Sequence, residues 1–200
     1  MVVARIYIEG GGDSGSGRAA CREGFRKLLE KDARFKGRMP RLVASGSRYE
    51  AYDKFRTAFQ PTDALTYVAL LVDSEDPVED VERPWAHVKK RDNWDQPSGA
   101  TDDHLLLMTT CMETLIVADR ASLRLHYVKL QESALPSLEN LEVQATGDLE
   151  KCLMNATKDC ANSYRKGDRS FTVLATLNPA VLIVLLPSFE RLIRILDGRL

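Results

Sequence analysis

The feature that most constrains this chain is a pair of apolar runs that both break off at carboxylates. Residues 2–8 are β-branched and apolar and stop at Glu9, followed by Gly10, Gly11 and Gly12. Residues 66–72 form the clearest strand pattern and run straight into Asp73-Ser74-Glu75-Asp76. Short apolar runs closed by turn residues read as buried strands. Residues 41–44 are a further candidate strand, ended by Ser45-Gly46, and residues 104–109 are a fourth apolar run. Helical spacing lies between them. Cys21, Phe25, Leu28 and Leu29 mark a helix over 19–31, capped by Ser14 or Ser16, and Tyr49, Tyr52, Phe55 and Phe59 mark a second. Residues 111–118 and 119–125 read as further helices. Strands alternating with helices over the first 125 residues predict a mainly parallel sheet covered on both faces.

The remainder divides by composition. Residues 77–103 are polar, punctuated by proline and carry Trp85 and Trp94. They read as a long ordered loop with a single helical turn. Helical patterns at 149–161, 170–177 and 189–196 fill the last quarter. The expected organisation is an α/β core over 1–130 and a helical C-terminal extension over 131–200 packed on it.

Two hundred residues with 44% hydrophobic and 28% charged content fit one globular domain, or one with an appendage. The longest apolar stretch, 180–186, sits between Pro179 and Pro187 and is too short to span a membrane. Arg5, Glu9 and Asp13 follow Val2-Val3-Ala4 too closely for a secretory signal. Cys21, Cys111, Cys152 and Cys160 form no CxxC pair and read as reduced thiols in a cytoplasmic protein. The net charge of −1 argues against attachment to nucleic acid by bulk charge, but it is unevenly spread. Residues 1–60 hold 13 basic against 7 acidic side chains, and residues 61–103 hold 4 against 11. Segregated solvent faces account for such a pattern, and so does a cation site beside an anion-holding surface.

In a parallel sheet, ligands bind beyond the carboxyl ends of the strands. If the strands ending at Glu9 and Asp73 are neighbours, about 4.8 Å apart, their carboxylates converge and repel each other unless one takes a proton or a cation joins them. Carboxylates without His or Cys partners suit Mg²⁺ or Mn²⁺. The three glycines would let a phosphate approach the backbone. Residues 12–19 have the spacing of a phosphate-binding loop, with Arg18 in place of the lysine and Ala19 in place of the Mg²⁺-holding hydroxyl. Arg18 and the glycines remain a candidate anion cradle. His87, His104 and His126 lack metal-ligand spacing, and no serine elbow is present.

Ile8-Glu9-Gly10 with Asp13, taken together with Val72-Asp73-Ser74-Glu75-Asp76, resembles the TOPRIM domain of topoisomerases, primases and related nucleases. Phe25-Arg26-Lys27, Gly46, Trp85, Trp94, Cys111-Met112-Glu113, Ala118-Asp119 and Tyr164-Arg165-Lys166-Gly167 extend this to a bacterial TOPRIM-like family of unknown function, often encoded beside an ABC-type ATPase. The resemblance implies an α/β, Rossmann-like sheet flanked by helices. It implies Glu9, Asp73 and Lys166 as catalytic residues, Glu9, Asp73 and Glu75 as metal ligands, and Asp13, Asp76 and Glu113 as supporting acids. Gly10, Gly11, Gly12 and Arg18 would bind phosphate. Here the second motif reads Asp-Ser-Glu where many TOPRIM members carry Asp-x-Asp, and Leu115 stands where the family pattern has tryptophan.

Three functions follow as expectations. The first is a Mg²⁺-dependent nuclease or phosphoryl-transfer protein, acting on nucleic acid in a phage-defence or toxin system. The second is a non-catalytic accessory subunit of an ABC-type ATPase. The third is a nucleotide-sensing module built on the glycine loop.

Overall fold

The computed structural model describes residues 3–59 and 66–200, so Val2, the first residue of the expected strand, lies outside the described residues. Four strands, β1 (Val3–Ile8), β2 (Arg41–Ala44), β3 (Thr66–Asp73) and β4 (Leu105–Met108), form a parallel sheet in the order β2-β1-β3-β4. Alternation sorts their side chains. Ala4, Ile6, Ile8, Ala69, Leu71, Leu106 and Met108 enter the core on one face, and Val68, Leu70, Val72, Leu105 and Leu107 enter the core on the other. Burial on both faces explains why β3 reads as a continuous apolar run.

Helix α1 (Gly15–Leu29) covers the first face through Cys21, Phe25, Leu28 and Leu29. Helices α2 (Arg48–Ala58) and α3 (Pro84–Asp92) cover the second through Ala51, Tyr52, Phe55, Trp85 and Val88. The result is a Rossmann-like α/β fold. From β1 the chain moves outward to β2, then returns to place β3 on the other side of β1. The order reverses between β1 and β3, where open α/β sheets bind their ligands.

Six helices follow β4: α4 (Met112–Ala118), α5 (Arg120–His126), α6 (Thr146–Ala156), α7 (Asp168–Leu174), α8 (Pro179–Leu185) and α9 (Pro187–Arg199). Their apolar side chains join the same cluster as α1 and the first sheet face. Helix α7 lies against α1 at Gly24, where an added Cβ would stand 2.7 Å from the Phe171 carbonyl oxygen. Helix α9 packs on β4, and its buried Arg191 donates to the carbonyls of Leu105 (3.0 Å) and Asp102 (2.8 Å) while pairing with Glu82 (3.2 Å). Among the described residues no helix is long and apolar enough to cross a membrane.

The structure corrects the sequence reading in two segments. Residues 77–103 hold more than one helical turn: α3 is a nine-residue helix with Pro84 at its start and left-handed Asn93 at its end. Only Pro84, Trp85 and Val88 are buried in it, so its apolar stripe is too thin to stand out among charged residues. Of residues 180–186, all but Leu186 form the body of α8, started by Pro179 and by the Asn178 side chain, which accepts from the Ala180 N–H at 3.0 Å. The unbroken apolar run hid the helical period. His104 is a packing residue, with its ring against Phe59 and Tyr67 and Nδ1 accepting from the Thr101 N–H.

Candidate metal centre

The carboxyl end of β1 turns through Gly10, Gly11 and Gly12, all at positive φ. Two of these positions demand glycine. An added Cβ on Gly11 would lie 2.7 Å from the Arg18 Cα, and one on Gly10 would press the Phe171 ring at 3.2 Å. The turn is pinned to Gly46, which follows β2 and Ser45, by paired backbone bonds of 2.8 and 3.1 Å. Helix α1 starts directly afterwards, with the Ser14 side chain accepting from the Gly17 N–H at 3.0 Å.

Glu9 leaves β1 beside the end of β3. Its Oε2 accepts the Asp73 N–H at 3.1 Å. One carboxylate oxygen from each of Glu9, Asp73 and Glu75 lies within 4.8 Å of the others, and among the described residues no other such group is formed. Glu75 reaches the trio from a left-handed backbone (φ 66°). That conformation is held from two sides: the Glu75 N–H donates to the Thr110 carbonyl (2.7 Å), and the Glu75 carbonyl accepts from the Thr146 hydroxyl (3.0 Å).

The electrostatics are those of acids without enough counter-charge. Burial raises Glu9 to about 7, with Glu75 adding to the rise and Arg48, the Asp73 N–H and Lys166 opposing it. Burial, then the charges of Glu9, Glu113 and Glu75, holds Asp73 well above the carboxylate range. Asp73 is half-buried as a residue, yet its Oδ1 is sealed from solvent with no hydrogen-bond partner. An orphaned buried oxygen costs about 1–3 kcal/mol. A hard cation among these all-oxygen donors would offset that cost, so the residues fit Mg²⁺ or Mn²⁺.

The trio opens into a cavity of about 340 Å³, bordered by the glycine turn, Glu113 and Lys166. Glu113 is 1% exposed. Its Oε1 accepts from the Tyr164 hydroxyl at 2.6 Å, and its Oε2 has no partner. Lys166 comes from the segment before α7. Burial alone would lower its pKa, but the nearby charges of Glu113, Asp73 and Glu150 prevail and raise it, so the ammonium stays charged. The buried thiols of Cys21 and Cys111 are pushed up to about 12, chiefly by burial, so neither is a ready nucleophile.

The structure therefore brings Glu9, Asp73, Glu75, Glu113, Lys166 and Gly10, Gly11 and Gly12 to one hollow. It does not bring the remaining candidates there. Asp13 is exposed on the turn and does not border the cavity. Asp76 points away and pairs with Arg91 at 2.9 Å. Arg18 folds back on its own loop, its Nε donating to the Gly12 carbonyl at 3.0 Å. A larger hollow of about 510 Å³ lies against α3, but no such acid trio meets there. Sequence reasoning missed Arg48. Its guanidinium donates to the Asp73 carbonyl and stands 3.9 Å from Glu9 Oε2. Nothing local marks it, because it approaches only after α2 crosses the sheet.

Fold and site define a Rossmann-like α/β protein with a cluster of acids at its topological switch point. Residues 8–197 match the domain of unknown function DUF4276, and the chain belongs to that family. No curated protein and no solved structure matches the chain.

Proposed function

We propose that the chain is a Mg²⁺- or Mn²⁺-dependent nuclease, or a related phosphoryl-transfer protein, of TOPRIM type. In this reading it works in the bacterial cytoplasm, in a phage-defence or toxin system, beside an ABC-type ATPase. The observation that carries the reading is the convergence of Glu9, Asp73 and Glu75 at the β1–β3 switch point, with Asp73 Oδ1 left unpartnered. A divalent ion held by those three acids would supply charge to a phosphoryl oxygen and lower the pKa of a water. Glu9, pushed up to about 7 by burial while no ion is bound, would give up its proton on taking the ion and face it as a carboxylate. Lys166 offers a fixed positive charge at the cavity edge for a developing phosphoryl anion. The open backbone of Gly10 to Gly12 allows a phosphate close approach.

The test is cleavage of DNA and tRNA by the purified chain, with and without its ATPase partner, in Mn²⁺ and in EDTA. Ion-dependent cleavage lost in Glu9→Gln and Asp73→Asn supports the reading. Cleavage indifferent to either variant, or none under any condition, overturns it.

A second reading, an accessory subunit docking on the ATPase, is favoured by exposed apolar side chains in the helical half, Leu125 (85%), Val128 (92%) and Val184 (82%). Under it, Glu9→Ala leaves both partner binding and the cellular phenotype intact.

A further inference from the structure

Arg48 is the most heavily fixed charged side chain around the acid trio. Its root is fixed first. Arg48 opens α2 directly after Ser47, whose side chain and backbone form a reciprocal cap with Glu50. Its guanidinium is then held on three sides. Asp92 takes it with both oxygens, at 2.7 Å to Nη2 and 3.3 Å to Nε. The Trp94 ring lies beneath it, 4.7 Å from Cζ to centroid. Trp94 is itself stacked on Tyr52, with centroids 4.3 Å apart and planes 4° from parallel. The Tyr52 hydroxyl donates to the Asp95 carbonyl at 2.7 Å. The side chain of Arg48 is only 12% exposed.

The remaining nitrogen, Nη1, faces the site. It donates to the main-chain carbonyl of Asp73 and lies 3.9 Å from Glu9 Oε2. That same Glu9 oxygen accepts the Asp73 N–H. The Asp73 N–H thus occupies Oε2 with the Arg48 charge standing beside it, which leaves Oε1 for the cavity. One planar fork bears on both acids: through a peptide oxygen on the strand end that aims Asp73, and through charge on the oxygen that Glu9 turns away. A lysine could carry the charge, but it could not reach Asp92, the Asp73 carbonyl and the Trp94 face together.

We propose that Arg48 is a positioning residue for the metal centre, setting which oxygen Glu9 presents and fixing the carboxyl end of β3, with Asp92 and Trp94 holding it in place. This rests on the reading of Glu9, Asp73 and Glu75 as ion ligands. It assigns Arg48 an effect on binding opposite in sign to simple repulsion. Were Arg48 only a nearby cation, its removal would tighten an ion's hold. As a positioning residue, its removal weakens it, and groups that orient metal ligands typically count for about 10–100-fold in affinity.

The experiment is Mn²⁺ titration of the full chain, followed by electron paramagnetic resonance of the free ion. It compares wild type with Arg48→Lys, Arg48→Gln and Asp92→Asn, and uses circular dichroism to show that each folds. The expected result is a loss of about tenfold or more in both Arg48 variants, with a smaller loss in Asp92→Asn, which keeps the charge but frees the fork. Unchanged or tighter binding in Arg48→Gln, or wild-type binding in Arg48→Lys, overturns the proposal. If wild type itself binds no Mn²⁺, the metal reading fails. Arg48 is then judged by a crystal structure of Arg48→Gln: Glu9 Oε2 still on the Asp73 N–H overturns its positioning role, and a rotated Glu9 carboxylate upholds it.

Discussion

Glu9 and Asp73, 64 positions apart in the chain, are joined by a bond from the Asp73 N–H to Glu9 Oε2 at 3.1 Å. The bond exists because β1 and β3 are adjacent parallel strands in a register that pairs Ile8 with Leu71. The Glu9 N–H donates to the Leu71 carbonyl at 2.9 Å, which carries the pairing one step past the strand. Two acids that would repel each other in water are thereby placed side by side by backbone geometry alone. The folding energy of the sheet bears the repulsion.

Burial of Glu9, with the charge of Glu75 adding to it, makes stability depend on pH. Glu9 ionises at about 7 in the folded chain, against 4.5 for an unperturbed glutamate. Between those values the folded state holds a proton that the unfolded chain has released. Stability from this group is therefore fully present below pH 4.5 and is lost as pH rises to about 7, at up to ~1.4 kcal/mol per pH unit. The buried Asp73 acts in the same direction. Urea denaturation from pH 5 to 8 in EDTA should show this decline, and Glu9→Gln should flatten it.

Mn²⁺ should reverse the trend, because it binds the ionised acids. At a hundredfold excess over its Kd the ion adds ~2.7 kcal/mol. For a domain of this size that corresponds to roughly 5–10 °C in melting temperature. The gain should be larger at pH 8 than at pH 6, measured by thermal melts with and without the ion. A gain that shrinks with rising pH would contradict the acid-ligand assignment.

Gly11 and Gly12 should respond differently to alanine. Both have positive φ, but a Cβ at Gly11 meets the α1 backbone at 2.7 Å, while one at Gly12 meets nothing within 4 Å. Gly12→Ala should cost ~1 kcal/mol from its left-handed backbone. Gly11→Ala should cost more, ~3 kcal/mol, and displace the start of α1. Paired denaturant midpoints check the difference.

Tyr164→Phe removes the one hydrogen bond made by Glu113 Oε1 and leaves that buried oxygen without a donor. The expected cost is ~1–3 kcal/mol. A double variant with Glu113→Leu should recover part of it, since the orphaned oxygens leave together. A Tyr164→Phe variant as stable as wild type would show that the bond contributes nothing.

Lys166→Ala should separate chemistry from folding. The residue is exposed at the cavity edge, so the melting temperature should change little. Any ion-dependent cleavage should fall by ~10²-fold, the scale of a lost group that stabilises developing charge. The split between Mn²⁺ affinity that is kept or tightened, since a neighbouring cation has gone, and reduced turnover is the diagnostic reading.

Much of this was legible in the sequence, for a physical reason. Strands buried on both faces leave dense apolar runs, so three strands are legible within two residues of their observed ends, and the fourth shows in the sequence as an apolar run over 104–109. The acids at the ends of β1 and β3 are legible because each apolar run breaks off at a carboxylate, Glu9 before three glycines and Asp73 before Ser74-Glu75-Asp76, at the edge where parallel sheets bind ligands. Helix α3 was not legible, because three buried residues among charged ones carry almost no period. The uneven charge resolved in part into ordinary pairing: Glu79 with Lys90, Asp76 with Arg91, Glu82 with Arg191 and Arg194, Asp103 with Arg199. Arg48 and the deep burial of Glu113 stayed hidden, since each depends on which helix crosses which strand.

The anchoring of Glu75 has a consequence for biosynthesis. Its carbonyl is tethered by Thr146, and the hydroxyl of Thr110, whose carbonyl takes the Glu75 N–H, donates to the Gln144 carbonyl at 2.7 Å. A ribosome that has released only the four strands has delivered the Glu9–Asp73 couple but not the tether for the third acid, nor Lys166. The trio reaches its observed geometry only when the later half of the polypeptide has emerged and docked, so a chain halted midway carries an unfinished centre.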